Sequence, residues 1–301
     1  MTETEKIILE QWQVRKKRAQ KTAFLEFMQA RFPEARVEKA GYSRNLVIGD
    51  PEAAKLVLTA HYDTCARLPF PNLLMPKNML GNLLYGLAIA MPLVLLSGVL
   101  GGVIGGLLES PLVTLVICYG VLGGFFWMMF GGIPNPNTVN DNTSGVCLLV
   151  RLLETLPEAL RRKCCFVFFD NEENGLLGSS GFFKLHKAVM RDKPLLNFDC
   201  VSDGEHILLF PGRKARPDWV AQLQAAFRSR DGKTVTVEKP GRGMYPSDQI
   251  RFPQGAGVAA FRKARFWGLF ISRIHTRRDT VWQEENLCLL RDCCEELIGN
   301  M

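Results

Sequence analysis

Two stretches near the middle of the chain abandon the usual mixing of apolar and polar positions. From Asn78 to Leu108, and again from Ser110 to Asn140, no residue is charged. Each holds enough apolar sequence to cross a bilayer core, which needs roughly 20 residues. Glu109-Ser110-Pro111 between them reads as a tight turn. The pattern predicts a transmembrane helical hairpin at residues 78–133. Gly98, Gly102 and Gly106 are spaced by four, as are Gly101 and Gly105, and Gly120 and Gly124. Such spacing lets helices approach closely in lipid, whereas in a water-soluble helix each glycine costs about 1 kcal/mol relative to alanine. The other reading of the same pattern is a hydrophobic lid or dimerisation arm folded over the protein. Two crossings return the chain to its starting side, so residues 1–77 and 134–301 can meet in one folded body.

Outside the hairpin the periodicities are those of a soluble fold. Glu5 to Phe32, within an N-terminal segment 1–33, follows the helical period until Pro33. Its basic cluster Arg15, Lys16, Lys17, Arg18 and Lys21 reads either as a solvated helix face or as a contact for lipid headgroups. Strands are predicted at Asn45–Ile48, Lys55–Ala60, Cys164–Phe169, Leu195–Phe198, His206–Phe210 and Thr234–Glu238. Helices are predicted at Ser144–Leu156, Gly175–Lys187, Pro217–Arg228 and Glu284–Leu297. Strands alternating with helices indicate an α/β sheet covered by helices on both faces.

Composition narrows the setting. Apolar residues make up 47% and charged residues 22%, which excludes disorder and a collagen-like repeat. The formal charge of +7 comes without an aromatic-studded basic motif that would read bases, so an anionic membrane surface is the expected partner and nucleic acid is not. Nine cysteines, several of them inside apolar runs, fit a reducing compartment better than a disulfide framework. The first residues lack the apolar stretch of a signal peptide. Arg67 and Lys77 precede the first span while the turn between spans has no Lys or Arg, so the positive-inside rule predicts that the body outside the hairpin is cytoplasmic.

The candidate chemistry lies where predicted strands end, the usual place for sites in open α/β sheets. His61 follows the strand KLVLTA, and Asp63 two residues on can accept from one ring nitrogen while the other meets a metal. Asp141, in NDNTSG at the mouth of a helix, can bridge two metals or serve as an N-cap. Glu172 and Glu173 follow the apolar strand CCFVFF, where adjacent carboxylates are costly unless paired or metal-bound. One can ligate while its neighbour moves a proton. Asp199 ends another apolar strand, and His275 lies in IHTRRDT. The remaining histidines, His186 and His206, read as ordinary residues.

Taken in order, HYDT, DNTSG, EENGLLGS, NFD and HTRRDT resemble peptidase family M28, which includes bacterial aminopeptidases, glutamate carboxypeptidases and glutaminyl cyclases. The resemblance covers essentially all of the chain except the hairpin and the first helix. It implies an α/β fold with a mixed central sheet and two zinc ions, replaceable by cobalt. On that pattern His61 and Asp199 would bind one zinc, Glu173 and His275 the other, and Asp141 both. Glu172 would be the general base and Asp63 would orient His61. A peptide substrate and hydrolysis at its free N-terminus are the implied activity, with carboxypeptidase action, glutaminyl cyclisation and a catalytically silent membrane adaptor as rivals. The cyclases lack a histidine equivalent to His61, and a silent adaptor would lack ligands or the base. Two uncharged spans make a poor solute pathway, which argues against a transporter. The chain departs from the family pattern in the length separating His61 from Asp141, and in Gln249, where the segment Tyr245-Pro246-Ser247-Asp248-Gln249 would usually carry histidine. Tyr245 is a candidate hydrogen-bond donor to the tetrahedral intermediate. Substrate preference and oligomeric state leave no mark on the sequence.

Overall fold

The computed structural model describes residues 1–230 and 232–301. Its nine strands are β1 (Arg36–Ala40), β2 (Ser43–Ile48), β3 (Leu56–His61), β4 (Cys164–Phe169), β5 (Leu195–Phe198), β6 (His206–Pro211), β7 (Thr234–Val237), β8 (Gly255–Ala264) and β9 (Gly268–Phe270). They form one sheet in the order β1-β2-β4-β3-β5-β8-β6-β7, with β9 on the far end of β8. The central strands β4, β3, β5 and β8 are mutually parallel, while β2 against β4 and β6 against β8 are antiparallel. The helices are α1 (Glu3–Gln11), α2 (Arg18–Arg31), α3 (Met79–Leu107), α4 (Pro111–Phe130), α5 (Ser144–Thr155), α6 (Glu158–Arg161), α7 (Leu177–Leu185), α8 (Lys187–Met190), α9 (Pro217–Ala226) and α10 (Glu284–Gly299). This is the mixed, two-faced α/β architecture that the motifs imply.

The side-chain period of two divides each central strand between two cores. Phe166 and Phe168 of β4 join Leu56 and Leu58 of β3 under α1, α2, α5, α9 and α10. Cys165, Val167 and Phe169 point the other way, to Phe182 of α7 and Phe252. Nearly every position on β3, β4 and β5 is therefore buried. β8 escapes the sequence reading because Gly255-Ala256-Gly257 has poor strand propensity. Its small residues have a steric cause: a Cβ at Gly255 or Gly257 would run into Gln249.

The N-terminal segment is two helices, not one. The chain breaks between Gln11 and Arg18, and Arg15 turns inward until its side chain is fully buried. Its Nε donates to the Tyr62 carbonyl at 2.5 Å, and both terminal nitrogens donate to Thr143 Oγ1 at 3.2 Å. Lys21 is buried as well, with Nζ 2.6 Å from Asp170 Oδ1. Neither residue can belong to a lipid-facing cluster. A basic helix face and a buried guanidinium look alike when the acceptors, here a carbonyl and a hydroxyl from distant segments, lie far away in sequence.

The uncharged segment forms two helices joined by a turn, with Glu109 in the turn at φ 49° and Pro111 opening α4. The two helices are long and apolar enough to cross a membrane, and almost none of their surface is covered by the rest of the protein. Only one of the glycine rows makes the helix contact. Ser97, Gly101 and Gly105 are the buried positions along that face of α3. A Cβ at Gly101 or Gly105 would overlap Cys118 or Thr114 of α4, whereas Gly98, Gly102, Gly106, Gly120 and Gly124 have open space around them. Ser97 Oγ donates to the Cys118 carbonyl at 3.2 Å, and Cys118 Sγ donates back to the Ser97 carbonyl at 3.3 Å.

Arg15→Met should destabilise the protein by roughly 2–4 kcal/mol, because the charge-assisted bonds it makes are lost and their acceptors stay buried. Thermal unfolding in detergent measures this, and an unchanged midpoint would return Arg15 to the surface. In the same assay Gly105→Leu should lower the midpoint, as expected for overpacking of about 1–3 kcal/mol, while Gly102→Leu leaves it in place.

Candidate metal centre

The C-terminal ends of the parallel strands bring the motifs together. His61 is the last residue of β3, Glu172 and Glu173 follow β4, and Asp199 follows β5. Asp141 enters from the turn before α5 and His275 from the loop after β9. His61 Nε2 lies 3.4 Å from Asp141 Oδ1 and 3.6 Å from Asp199 Oδ1. His275 Nε2 lies 3.1 Å from Asp141 Oδ2 and 3.5 Å from Glu173 Oε2. The two oxygens of Asp141 therefore face two separate histidine–carboxylate pairs.

Each of these side chains is held by its surroundings. Asp141 sits between two asparagines that tie its turn to the segment after β5. Asn140 Oδ1 accepts from the backbone nitrogens of Ser202 and Asp203 at 2.7 and 3.0 Å, and Asn142 Nδ2 donates to the Phe198 carbonyl at 2.9 Å. The Asp63 carboxylate accepts from the backbone nitrogens of Glu172 at 2.9 Å and Glu173 at 3.3 Å, fixing that loop. Its backbone carbonyl lies 3.0 Å from His61 Nδ1, closer than its carboxylate at 3.7 Å. Asp63 thus orients the glutamate loop with its side chain and meets the imidazole with its backbone. The left-handed backbone recurs here, at Asn171 before the glutamates, at Cys200 after Asp199, and at His275 itself. Strain of this kind, on the order of 1–3 kcal/mol per residue, persists where surrounding structure holds it.

The electrostatics match a cluster built for cations. Burial opposes a charge on His61, yet Glu172, Asp141 and Asp199 outweigh it and hold the imidazole well above its ordinary pKa. Burial likewise opposes charge on His275, but Glu173 and Asp141 raise it to about 9. Burial pushes Glu173 up to about 8 and Glu172 well above the carboxylate range. Asp141, despite its burial, is held low by His275 and His61. His61 Nε2 and Glu173 Oε1 are buried with no hydrogen-bond partner among the described residues. Three sets of potential ligand atoms lie within 4.8 Å of one another: His61 with Asp141 and Asp199, Cys65 with Asp141, Glu173 and His275, and His61 with Glu172 and Glu173. Unpartnered ligand atoms within a compact set of imidazole nitrogens and carboxylate oxygens suit zinc.

Three residues join this neighbourhood that the motif reading did not single out. Asp279, fully buried, accepts from the backbone nitrogens of Asn140 and Asp141 at 2.7 and 3.0 Å, and burial beside Asp141 pushes it up to about 8. It stands in HTRRDT, four residues past His275, and that spacing was its only signal. Asp248 is buried, and neither carboxylate oxygen has a hydrogen-bond partner among the described residues. Cys65, four residues after His61, reads as a small hydrophobe until the fold turns it toward the cluster. Tyr245 is close by, but its hydroxyl donates to the Asp199 carbonyl at 2.9 Å, and its ring stacks on Phe210. His186 pairs with Glu38 at 3.0 Å, away from the cluster.

No curated protein matches the chain by sequence. Among solved structures, the Legionella pneumophila LapA aminopeptidase is similar with a TM-score of 0.57 at 14% identity, covering 98% of this chain and 67% of that one. Porphyromonas gingivalis glutaminyl cyclase gives a TM-score of 0.57 at 16% identity, covering 98% and 96%. Fimbriiglobus ruber glutaminyl cyclase gives 0.52 at 16%, covering 96% and 90%. These likenesses establish the fold. The sequence model of peptidase family M28 matches residues 130–295, more than half of the chain and four of the five motifs, and the chain belongs to that family.

Proposed function

We propose that the chain is a membrane-anchored di-zinc exopeptidase of aminopeptidase type. The observation that carries this reading is the division of the Asp141 carboxylate between His61–Asp199 on one oxygen and His275–Glu173 on the other. His61, Asp199 and Asp141 would hold one zinc, and Glu173, His275 and Asp141 the second. Bound zinc lowers the pKa of a coordinated water from 15.7 to about 7 and polarises the scissile carbonyl. Glu172 is the proton carrier: its backbone is pinned by Asp63, its carboxyl lies within the cluster of His61 and Glu173, and it passes a proton to the departing amine. Asp248, whose two oxygens are buried with no hydrogen-bond partner among the described residues, would supply negative charge for the free ammonium group of the substrate. Tyr245, if its bond to the Asp199 carbonyl opens, can donate to the tetrahedral intermediate.

Residues 78–133 form the anchor, and residues 1–77 with 134–301 form the catalytic body on the cytoplasmic side. Leu83, Val94, Leu95, Val99, Leu112, Phe126 and Trp127 are each more than half exposed along α3 and α4. A contiguous apolar surface of that extent belongs in lipid. Glutaminyl cyclisation is the second reading, because LapA and the two cyclases share this fold. The His61 side chain within the cluster favours hydrolysis.

Aminoacyl-chromogenic substrates should be hydrolysed, with activity abolished by a chelator and restored by zinc or cobalt. Peptides beginning with glutamine should release free glutamine, and a pyroglutamyl product in its place would establish the cyclase reading. Glu172→Gln should retain its zinc and lose about 10²–10⁴-fold in kcat; a parental rate would remove Glu172 from the proton-carrying role. The protein should stay with membranes through carbonate and high salt, and release without detergent would refute the two spans.

A further inference from the structure

Where the hairpin joins the body, five arginines line one cavity of about 690 Å³. Arg67 comes from the leg leading into α3, Arg262 from β8, and Arg273, Arg277 and Arg278 from the loop that carries His275. Among the described residues, one carboxylate serves them. Asp203 accepts from Arg273 Nη1 at 3.1 Å and lies 3.7 Å from Arg262 Nε, which is itself buried with no hydrogen-bond partner among the described residues. Arg67, Arg277 and Arg278 have no ion-pair partner among the described residues. Five guanidinium groups beside one carboxylate leave an excess of positive charge around the cavity, which favours an anionic ligand there. Guanidinium forks match phosphate oxygens in pairs.

The cavity's other wall says where that phosphate comes from. Phe70 lines it and stacks on Phe125 of α4, with ring centroids 6.0 Å apart, so one side of the cavity is continuous with the apolar hairpin. Close by, the backbone of Leu74 pairs with Ile271 in both directions, at 3.0 and 2.9 Å, joining the same leg to the strand after the β8–β9 turn. That turn exposes Phe266 and Trp267 beside Lys263 and Arg265, the mixture of aromatic and basic side chains found at membrane interfaces. At the end of α4, Lys16 Nζ donates to the Phe130 carbonyl at 2.5 Å. Arginines, exposed aromatics and the last turn of a span thus converge on one boundary.

We propose that this cavity binds the phosphate headgroup of an anionic phospholipid, with the acyl chains lying along α4. The inference rests on the membrane reading given above. It also places a lipid headgroup against the loop that carries His275.

The full chain, purified in neutral detergent and offered equal amounts of phosphatidylglycerol and phosphatidylcholine, is read by native mass spectrometry. Phosphatidylglycerol should be retained in preference. Arg67→Gln with Arg278→Gln should lower that preference by roughly thirtyfold. Arg278 is exposed, so Arg278→Glu alone tests the idea in a protein whose folding does not depend on that side chain. An unchanged preference in a variant that melts like the parent would overturn the proposal, as would equal retention of both lipids by the parent. Binding of inorganic phosphate without retention of phosphatidylglycerol would assign the cavity to a free anion and overturn the lipid source. Carbonate extraction separates the two readings. A protein released by carbonate fails the membrane reading, whereas a carbonate-resistant protein with no lipid preference fails the cavity proposal alone.

Discussion

The structure turns on the need to hold many carboxylates around two imidazoles in a water-poor space. Asp63, Asp141, Glu172, Glu173, Asp199, Asp248 and Asp279 gather at one end of the sheet, with His61 and His275 as their nearest cationic partners. Such a cluster is costly unless backbone donors and bound cations offset the repulsion. The fold supplies the donors. Asp63 takes two backbone nitrogens from the glutamate loop, and Asp279 takes two from the Asp141 turn. The parallel strands supply the geometry, because β3, β4 and β5 deliver their ligands side by side from rigid, buried segments.

The hairpin is built into this arrangement rather than appended to it. Its two legs are zipped at the base, where Arg67 N donates to the Ile133 carbonyl and Asn135 N to the Cys65 carbonyl. Both legs also grip the His275 loop. Leu68 N donates to the His275 carbonyl at 2.7 Å, while Asn135 and Asn137 side chains donate to the carbonyls of Thr276 and Arg277 at 2.9 and 2.7 Å. The long excursion between His61 and Asp141 therefore returns as a clamp on a third motif.

Much of this was legible in the residues. Strands made of largely apolar sequence and ending on acids or histidine, such as LVLTAH and CCFVFFDNEE, located both the sheet and the edge where the candidate ligands gather. Uncharged runs of more than 20 residues located the hairpin. What stayed hidden depended on contacts distant in sequence. Arg15 looked like part of a basic face because its acceptors, the Tyr62 carbonyl and the Thr143 hydroxyl, are provided by other segments. β8 was hidden by the glycines that let Gln249 approach. The glycine rows of α3 were equivalent in sequence, and only the helix crossing distinguished Gly101 and Gly105 from their neighbours. Asp279 holds backbone nitrogens, and the Asp248 oxygens have no partner among the described residues, and neither feature carries a spacing rule of its own.

The central claim is that Asp141 is shared between two metal positions. Elemental analysis of the purified protein tests it most directly. Two zinc ions per chain are expected in the parent and, because both positions depend on the same carboxylate, loss of both together in Asp141→Asn. One zinc per chain in the parent, or a variant that keeps its full zinc content, would contradict it.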